Sequence, residues 1–177
     1  MNNSSIIRGK IHHTMLHDVA WNFIQLGMHL ERSTQLIRML ISKLTEINEL
    51  HEYKVGEALE IQQWNILLDC AEARDMCRKF NNASPDRLLA LEFLLLNPRF
   101  PRSVVYNLTH TLNFLGRINP TKLNHKGSLE FKVGKIINHY QYLEIEDIQN
   151  NMIPFLEESR KNIYQICDLI VDEYFRY

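Results

Sequence analysis

The sequence predicts an all-α fold, an antiparallel bundle of five or six helices in a single domain over residues 1–177, with 1–10 as a loose N-terminal tail. Three observations predict it. Apolar residues recur at steps of three, four and seven over long stretches, which is the helical period. Gly and Pro together make up only about 6% of the chain, against about 12% in an ordinary protein, so chain reversals are few and elements long. The chain is 45% hydrophobic and 23% charged with a formal net charge of −1, values of a packed domain and not of a disordered tail.

The first long helix is expected to start near Thr14 or Asp18 and to reach about Asn48. Leu16, Val19, Phe23, Leu26, Leu30, Ile37, Ile41 and Leu44 form its inner stripe. A connector at Tyr53–Glu57, containing Gly56, leads to a second helix from about Leu59 to Phe80. Its stripe is Leu59, Ile66, Cys70, Ala73, Cys77 and Phe80. Ser84-Pro85-Asp86 opens a short apolar third helix that Asn97-Pro98 ends. Pro101 suits the first turn of a fourth, because its missing N–H has no helical partner there. Val104, Leu108, Thr111, Leu112 and Leu115 form that helix's inner face. Gly116–Gly127 reads as a loop, with Asn119-Pro120 and Asn124 as turn chemistry. A fifth helix follows over Ser128–Tyr142. A sixth runs from Glu146 to the end with Met152, Leu156, Ile163, Ile166, Ile170 and Tyr174 inward, and Pro154 kinks it or marks a restart.

Composition also narrows the function. The chain has neither the basic excess nor the basic stripe of a nucleic-acid binder. No stretch approaches the roughly 18 apolar residues of a membrane span, and the strongest run, Leu88–Leu96, is interrupted by Glu92. The N-terminus lacks the pattern of a signal peptide. Three cysteines are too few for a disulfide framework, which favours a cytoplasmic location. Cys70 and Cys77 share a helix face about 10 Å apart along the axis, too far for a disulfide, and read with Cys167 as small core residues. His13 and His17 are four apart beside His12 and Asp18, but no second ligand pair stands at a recognisable spacing. They read as surface histidines, with no metal and no cofactor expected. A phosphate-cradling glycine loop and a nucleophile elbow are both missing from the sequence, so a self-sufficient nucleotide-dependent enzyme is not expected.

Two segments carry a resemblance. Gly27-Met28-His29-Leu30-Glu31-Arg32, within Trp21–Arg32, and Asn97-Pro98-Arg99-Phe100-Pro101-Arg102-Ser103, within Leu94–Ser103, together resemble the bacterial Alpha-E family, a helical domain with a Glu-Arg motif. The likeness runs from about Gly9 to Gly116 and fades in the last 60 residues. It resembles the C-terminal half of longer members. Because such domains are typically found beside atypical ATP-grasp ligases and transglutaminase-like proteins, the resemblance implies an accessory role in peptide or amide-bond modification. It names no reaction. Members often carry Arg directly after the motif glycine where this chain has Met28.

The motif also has a physical reading. Glu31 and Arg32 are about 100° apart on a helix and do not face each other. Taking Leu30 as the centre of the stripe, Glu31 sits at the margin of the core and Arg32 points nearly opposite, toward solvent or a second layer. Side chains lean toward the helix N-terminus, so Glu31 is expected over a notch at Gly27, and Gly27→Leu is expected to destabilise by filling it. Glu31 reads first as a structural carboxylate paired with Arg78 or Arg102, and second as a general base. A single carboxylate with no partner acid beside it marks no catalytic residue. Arg102 and Ser103, with Arg99 nearby, start a helix where an anion could bind, although Asn97 and Ser103 also suit ordinary capping. Trp21, Ile24, Met28 and Met39 lie on the opposite side of the first helix. Either that helix is buried on both sides or this face meets another chain, giving a homo-oligomer.

The leading expectation is an accessory or binding module of the Alpha-E type, acting with an ATP-grasp ligase-like or transglutaminase-like partner, with Glu31, Arg32 and Arg102 organising its site. The alternatives are a stand-alone hydrolase or transferase using Glu31 with an arginine, and a structural oligomer-forming bundle. An enzyme should hold Glu31 and an arginine in one polar cleft with room between them. A scaffold should hold them in direct contact.

Overall fold

The computed structural model describes residues 3–52, 57–120 and 125–176, and none of them is in a strand. Nine helices lie among them: α1 (Asn3–Thr14), α2 (Val19–Glu52), α3 (Glu57–Cys70), α4 (Arg74–Asn81), α5 (Arg87–Leu96), α6 (Val104–Ile118), α7 (Leu129–Gln141), α8 (Ile145–Ile148) and α9 (Met152–Tyr174). The chain is all-α, a bundle of helices. The helix starts follow from capping chemistry. Asp18 Oδ1 accepts from the N–H of Trp21 at the start of α2, Asp86 from Leu89 in α5, Ser103 from Tyr106 in α6, and Ser128 from Phe131 in α7. Each pairs one of the N–H groups that a helix start leaves without a partner.

The axis of the bundle is α2, 34 residues and about 51 Å long. It packs against α6, α9 and α3, burying Leu26, Leu30, Ile37, Leu40, Leu44 and Ile47. From the facing helices come Val104, Leu108, Thr111 and Leu115 of α6 and Leu156, Ile163, Ile166 and Ile170 of α9, all buried. The buried apolar side chains form one cluster, so a single core organises these helices.

The structure departs from the sequence expectation in several elements. Residues 3–10, read as a loose tail, belong to α1. Leu16 and Val19, expected on the inner stripe of α2, are exposed: Leu16 precedes the helix, which begins at Val19, and the first turn faces the core through Trp21 and Asn22. The expected Leu59–Phe80 helix is two helices, since the chain turns at Glu72, whose φ of 51° is left-handed. There Ala73 N–H reaches back to the carbonyl of Leu68 and Glu72 N–H to that of Asp69. This is a Schellman closure with glutamate where glycine is usual. The break resets the helical phase: Ala73 and Cys77 remain buried, while Ile66, Cys70 and Phe80 are exposed. These changes, together with α8, raise the count above the five or six expected.

Pro101 lies ahead of α6 and not in its first turn, because Ser103 takes the cap position. Gly116, expected to open a loop, is buried inside α6. Pro154 falls in the first turn of α9 after a short 3-10 segment at Gln149–Asn151. It therefore marks a restart, where its missing N–H costs no helical bond. Of the expected connector Tyr53–Glu57, residues 53–56 lie outside the described residues, as does the turn residue Asn124, and Glu57 opens α3. No helix among the described residues is long and apolar enough to cross a membrane.

Candidate functional site

The Glu-Arg motif sits near the middle of α2, where this helix passes beneath α1, the α3–α4 turn and the α5–α6 turn. These elements enclose a cavity of about 220 Å³. Arg8 enters from α1, Glu31, Arg32 and Gln35 from α2, Cys70 and Ala71 from the end of α3, and Pro101 and Arg102 from the turn before α6. Leu36 and Met39 extend its wall on α2. A larger concavity of about 630 Å³ opens at His125–Leu129 against α9 and contains none of the expected site residues.

Arg32 defines the electrostatics of the smaller cavity. It is half-buried, where it was expected to point toward solvent or a second layer. Its pKa is lowered from the ordinary arginine value, first by desolvation and then by the positive charges of Arg8 and Arg102, with Tyr106 and Glu31 opposing. No described side chain forms an ion pair or hydrogen bond with it. Arg102 is paired with Glu72, the residue held at positive φ, so the strained turn between α3 and α4 positions a cation at the cavity rim. Glu31 is exposed and accepts a 2.8 Å hydrogen bond from Gln35 Nε2. The motif carboxylate is thus hydrogen-bonded along its own helix, and its charge still acts on Arg32 across the shared cavity.

The remaining expected residues lie as follows. Arg78 is on α4 in a separate surface concavity with Asp75 and Lys79, away from Glu31, because the turn at Glu72 carries α4 off the line of α3. Neither Arg78 nor Arg102 pairs with Glu31. Ser103 is fully buried; its Oγ accepts from Tyr106 N–H and donates to the carbonyl of Asn97, so the hydroxyl is committed to the turn. Asn97 Oδ1 accepts the N–H groups of Arg99 and Phe100, and the Arg99 guanidinium lies 5.8 Å from the Phe80 ring.

Gly27 is exposed, and a Cβ there would meet nothing within 4 Å, so the notch expected between it and Glu31 is open space. The expected destabilisation by Gly27→Leu is corrected accordingly. Gly27→Ala should raise stability by about 0.5–1 kcal/mol through helix propensity, read as a higher melting temperature.

The Trp21, Ile24, Met28 and Met39 face divides. Trp21 is buried, stacked on His17 at 4.0 Å and edge-on to Phe114 at 5.4 Å. Ile24 and Met28 are half-buried, and Met39 lines the cavity. Of the N-terminal histidines, His17 Nε2 contacts the carbonyl of His12, and Asp18 is used in the α2 cap.

Beneath the cavity lies a polar knot that sequence reasoning missed. His29 Nδ1 is 2.7 Å from Asn107 Oδ1, and the Asn107 amide donates to the carbonyls of Pro101 and Ser103. Since that nitrogen is the donor, the Asn107 oxygen accepts, and His29 Nδ1 carries the hydrogen. The knot fastens α2 to the turn that bears Arg102. His29 lies one turn before Arg32 on the same face, which is the signal the sequence held; Arg8 had none in a segment read as a tail.

Burial lowers the pKa of His29 from its ordinary 6.5, assisted by the charges of His110 and Arg32 and opposed by the Asn107 hydrogen bond. His110, stacked on His29 at 5.1 Å, is lowered by desolvation and by Arg117. Between each folded value and 6.5 the unfolded chain binds more protons than the folded one, so stability rises with pH through that window. The melting temperature should therefore fall from about pH 7.5 to about pH 5, and the drop should be smaller in His29→Gln.

A family model described as "a predicted alpha-helical domain with a conserved ER motif", named Alpha-E, matches residues 1–175. The chain belongs to the Alpha-E family. The match takes in the last 60 residues, where the resemblance was expected to fade, and it includes α1 with Arg8. No curated protein and no solved structure matches the chain. The sequence holds one Glu-Arg pair, Glu31-Arg32, and its arginine is the half-buried cation of the cavity.

Proposed function

We propose that this Alpha-E chain is a cytoplasmic accessory or binding module that holds an anionic group against Arg32, with Arg8 and Arg102 as flanking cations. It works beside an ATP-grasp ligase-like or transglutaminase-like partner in peptide or amide modification. The single observation that carries the binding reading is Arg32 itself. A half-buried guanidinium, desolvated and beside two further arginines, with no carboxylate among the described residues paired to it, is complementary to an anion from outside the chain.

The partner reading follows from the family resemblance, and it is tested by affinity pull-down from the native cells with the unaltered chain and with Arg32→Ala. A ligase-like or transglutaminase-like protein recovered by the first and lost with the second supports it. Equal recovery with both chains removes Arg32 from the partnership, and recovery of this chain alone contradicts the partner reading.

A second reading has an observation of its own. Glu31, Arg32 and Arg102 share one polar cavity with room between them, the arrangement expected of a hydrolase or transferase with Glu31 as base. The described lining offers Glu31 no histidine partner and no second carboxylate. Glu31→Gln distinguishes the readings: a binding module keeps its anion affinity within about threefold, whereas an enzyme loses turnover.

A further inference from the structure

The arginine cavity does not end at Met39. A second concavity of about 520 Å³ shares Gln35, Met39 and Cys70 with it and continues between α2 and α3 as far as Glu46. Together they form one groove along α2. From Arg32 to Glu46 is 14 residues, about 21 Å of helix and about six residues of extended chain. Its two ends differ in chemistry. Three guanidiniums stand at the Arg32 end, and the apolar side chains of Met39, Ile66 and Leu67 line the middle. Ile66 is 40% exposed there, while Trp64, Leu67 and Leu68 of the same helix are buried.

Charge says what the arginine end fits. Arg8, Arg32 and Arg102 face Glu31 in the cavity and Glu72 at the rim, so the guanidiniums exceed the carboxylates by one. Along the trough Lys43 is paired with Glu46 and Arg38 adds a further cation beside Met39, Ile66 and Leu67, so an anionic group joined to an apolar chain complements the groove. We propose that the groove receives the C-terminal segment of an extended peptide, its α-carboxylate on Arg32 and its last apolar side chains over Met39 and Ile66. This rests on the anion-binding reading and specifies its ligand. Carboxylate on guanidinium gives a charge-assisted, bidentate contact, and Gln35 and Ser42 along the trough offer polar groups to the peptide backbone.

The test is fluorescence polarisation at low ionic strength with an N-terminally fluorescein-labelled pentapeptide ending in Leu-Leu, as free acid and as C-terminal amide. Acetate, N-acetyl-leucine and inorganic phosphate serve as competitors. The free acid should bind at least about tenfold more tightly than the amide, and Arg32→Met should erase that difference. Ile66→Glu, at an exposed position, should weaken the peptide while leaving the affinity for phosphate unchanged, with the melting temperature confirming that the variant folds. Equal binding of acid and amide overturns the proposal. N-acetyl-leucine binding as tightly as the pentapeptide overturns the extended-chain occupant in favour of a small carboxylate. Phosphate bound through Arg32 without peptide overturns this inference and leaves the anion reading standing, whereas binding of neither overturns both.

Discussion

Asn107→Ala should destabilise the fold by about 2–4 kcal/mol, one of the two largest effects expected of any change near the site. Asn107 is fully buried and makes three side-chain hydrogen bonds, to His29, Pro101 and Ser103. Alanine leaves a buried imidazole N–H and the Pro101 carbonyl without these partners, and an unsatisfied buried polar group costs more than the bond itself contributed. At about 2–4 °C per kcal/mol for a chain of this size, the melting temperature should drop by roughly 5–15 °C. The double variant with His29→Ala should lose less than the sum of the two single changes, since both remove the same bond. A loss below about 1 kcal/mol, or strict additivity, would show that the knot does not fasten α2 to the α5–α6 turn.

Arg32→Met should have the opposite profile. Anion affinity falls at least about tenfold, while stability stays level or rises. Methionine keeps the apolar stem in the cavity wall and removes a guanidinium that is desolvated and repelled by Arg8 and Arg102. A structural arginine would behave differently, because removing one partner of an ion pair destabilises the fold. A loss of more than about 1 kcal/mol on denaturant unfolding would place Arg32 among the structural charges and take away the ground for a binding site.

Much of the architecture was readable from periodicity. In α6 and α9 the expected inner residues Val104, Leu108, Leu115, Leu156, Ile163 and Ile166 are all buried, because each stripe continues unbroken along one helix. The stripe through α3 and α4 misled, since Ala71-Glu72-Ala73 carries neither glycine nor proline and so gives no sign of a left-handed turn. Backbone hydrogen bonds from Ala73 to Leu68 and from Glu72 to Asp69 close the turn, and the Glu72–Arg102 ion pair that follows from it spans 30 residues of sequence, which local pattern does not encode.

The site was half legible for the same reason. Glu31, Arg32 and Arg102 were singled out and share one cavity, while Arg78 lies elsewhere because the unforeseen turn redirects α4. Arg8 was missed since Asn2-Asn3-Ser4-Ser5 reads as a polar tail. Asn107 was missed because a polar residue within a helix shows its burial only when the facing helix is known.

The most direct test of the anion-binding claim is an NMR titration of the arginine side-chain Nε–Hε signals with inorganic phosphate at low ionic strength, Arg32 being assigned by its disappearance in Arg32→Met. The binding account predicts a saturable shift of Arg32, with Arg8 and Arg102 following the same curve and Arg78 unmoved. An Arg32 signal that stays in place, or weak linear shifts shared by all the arginines, would contradict it.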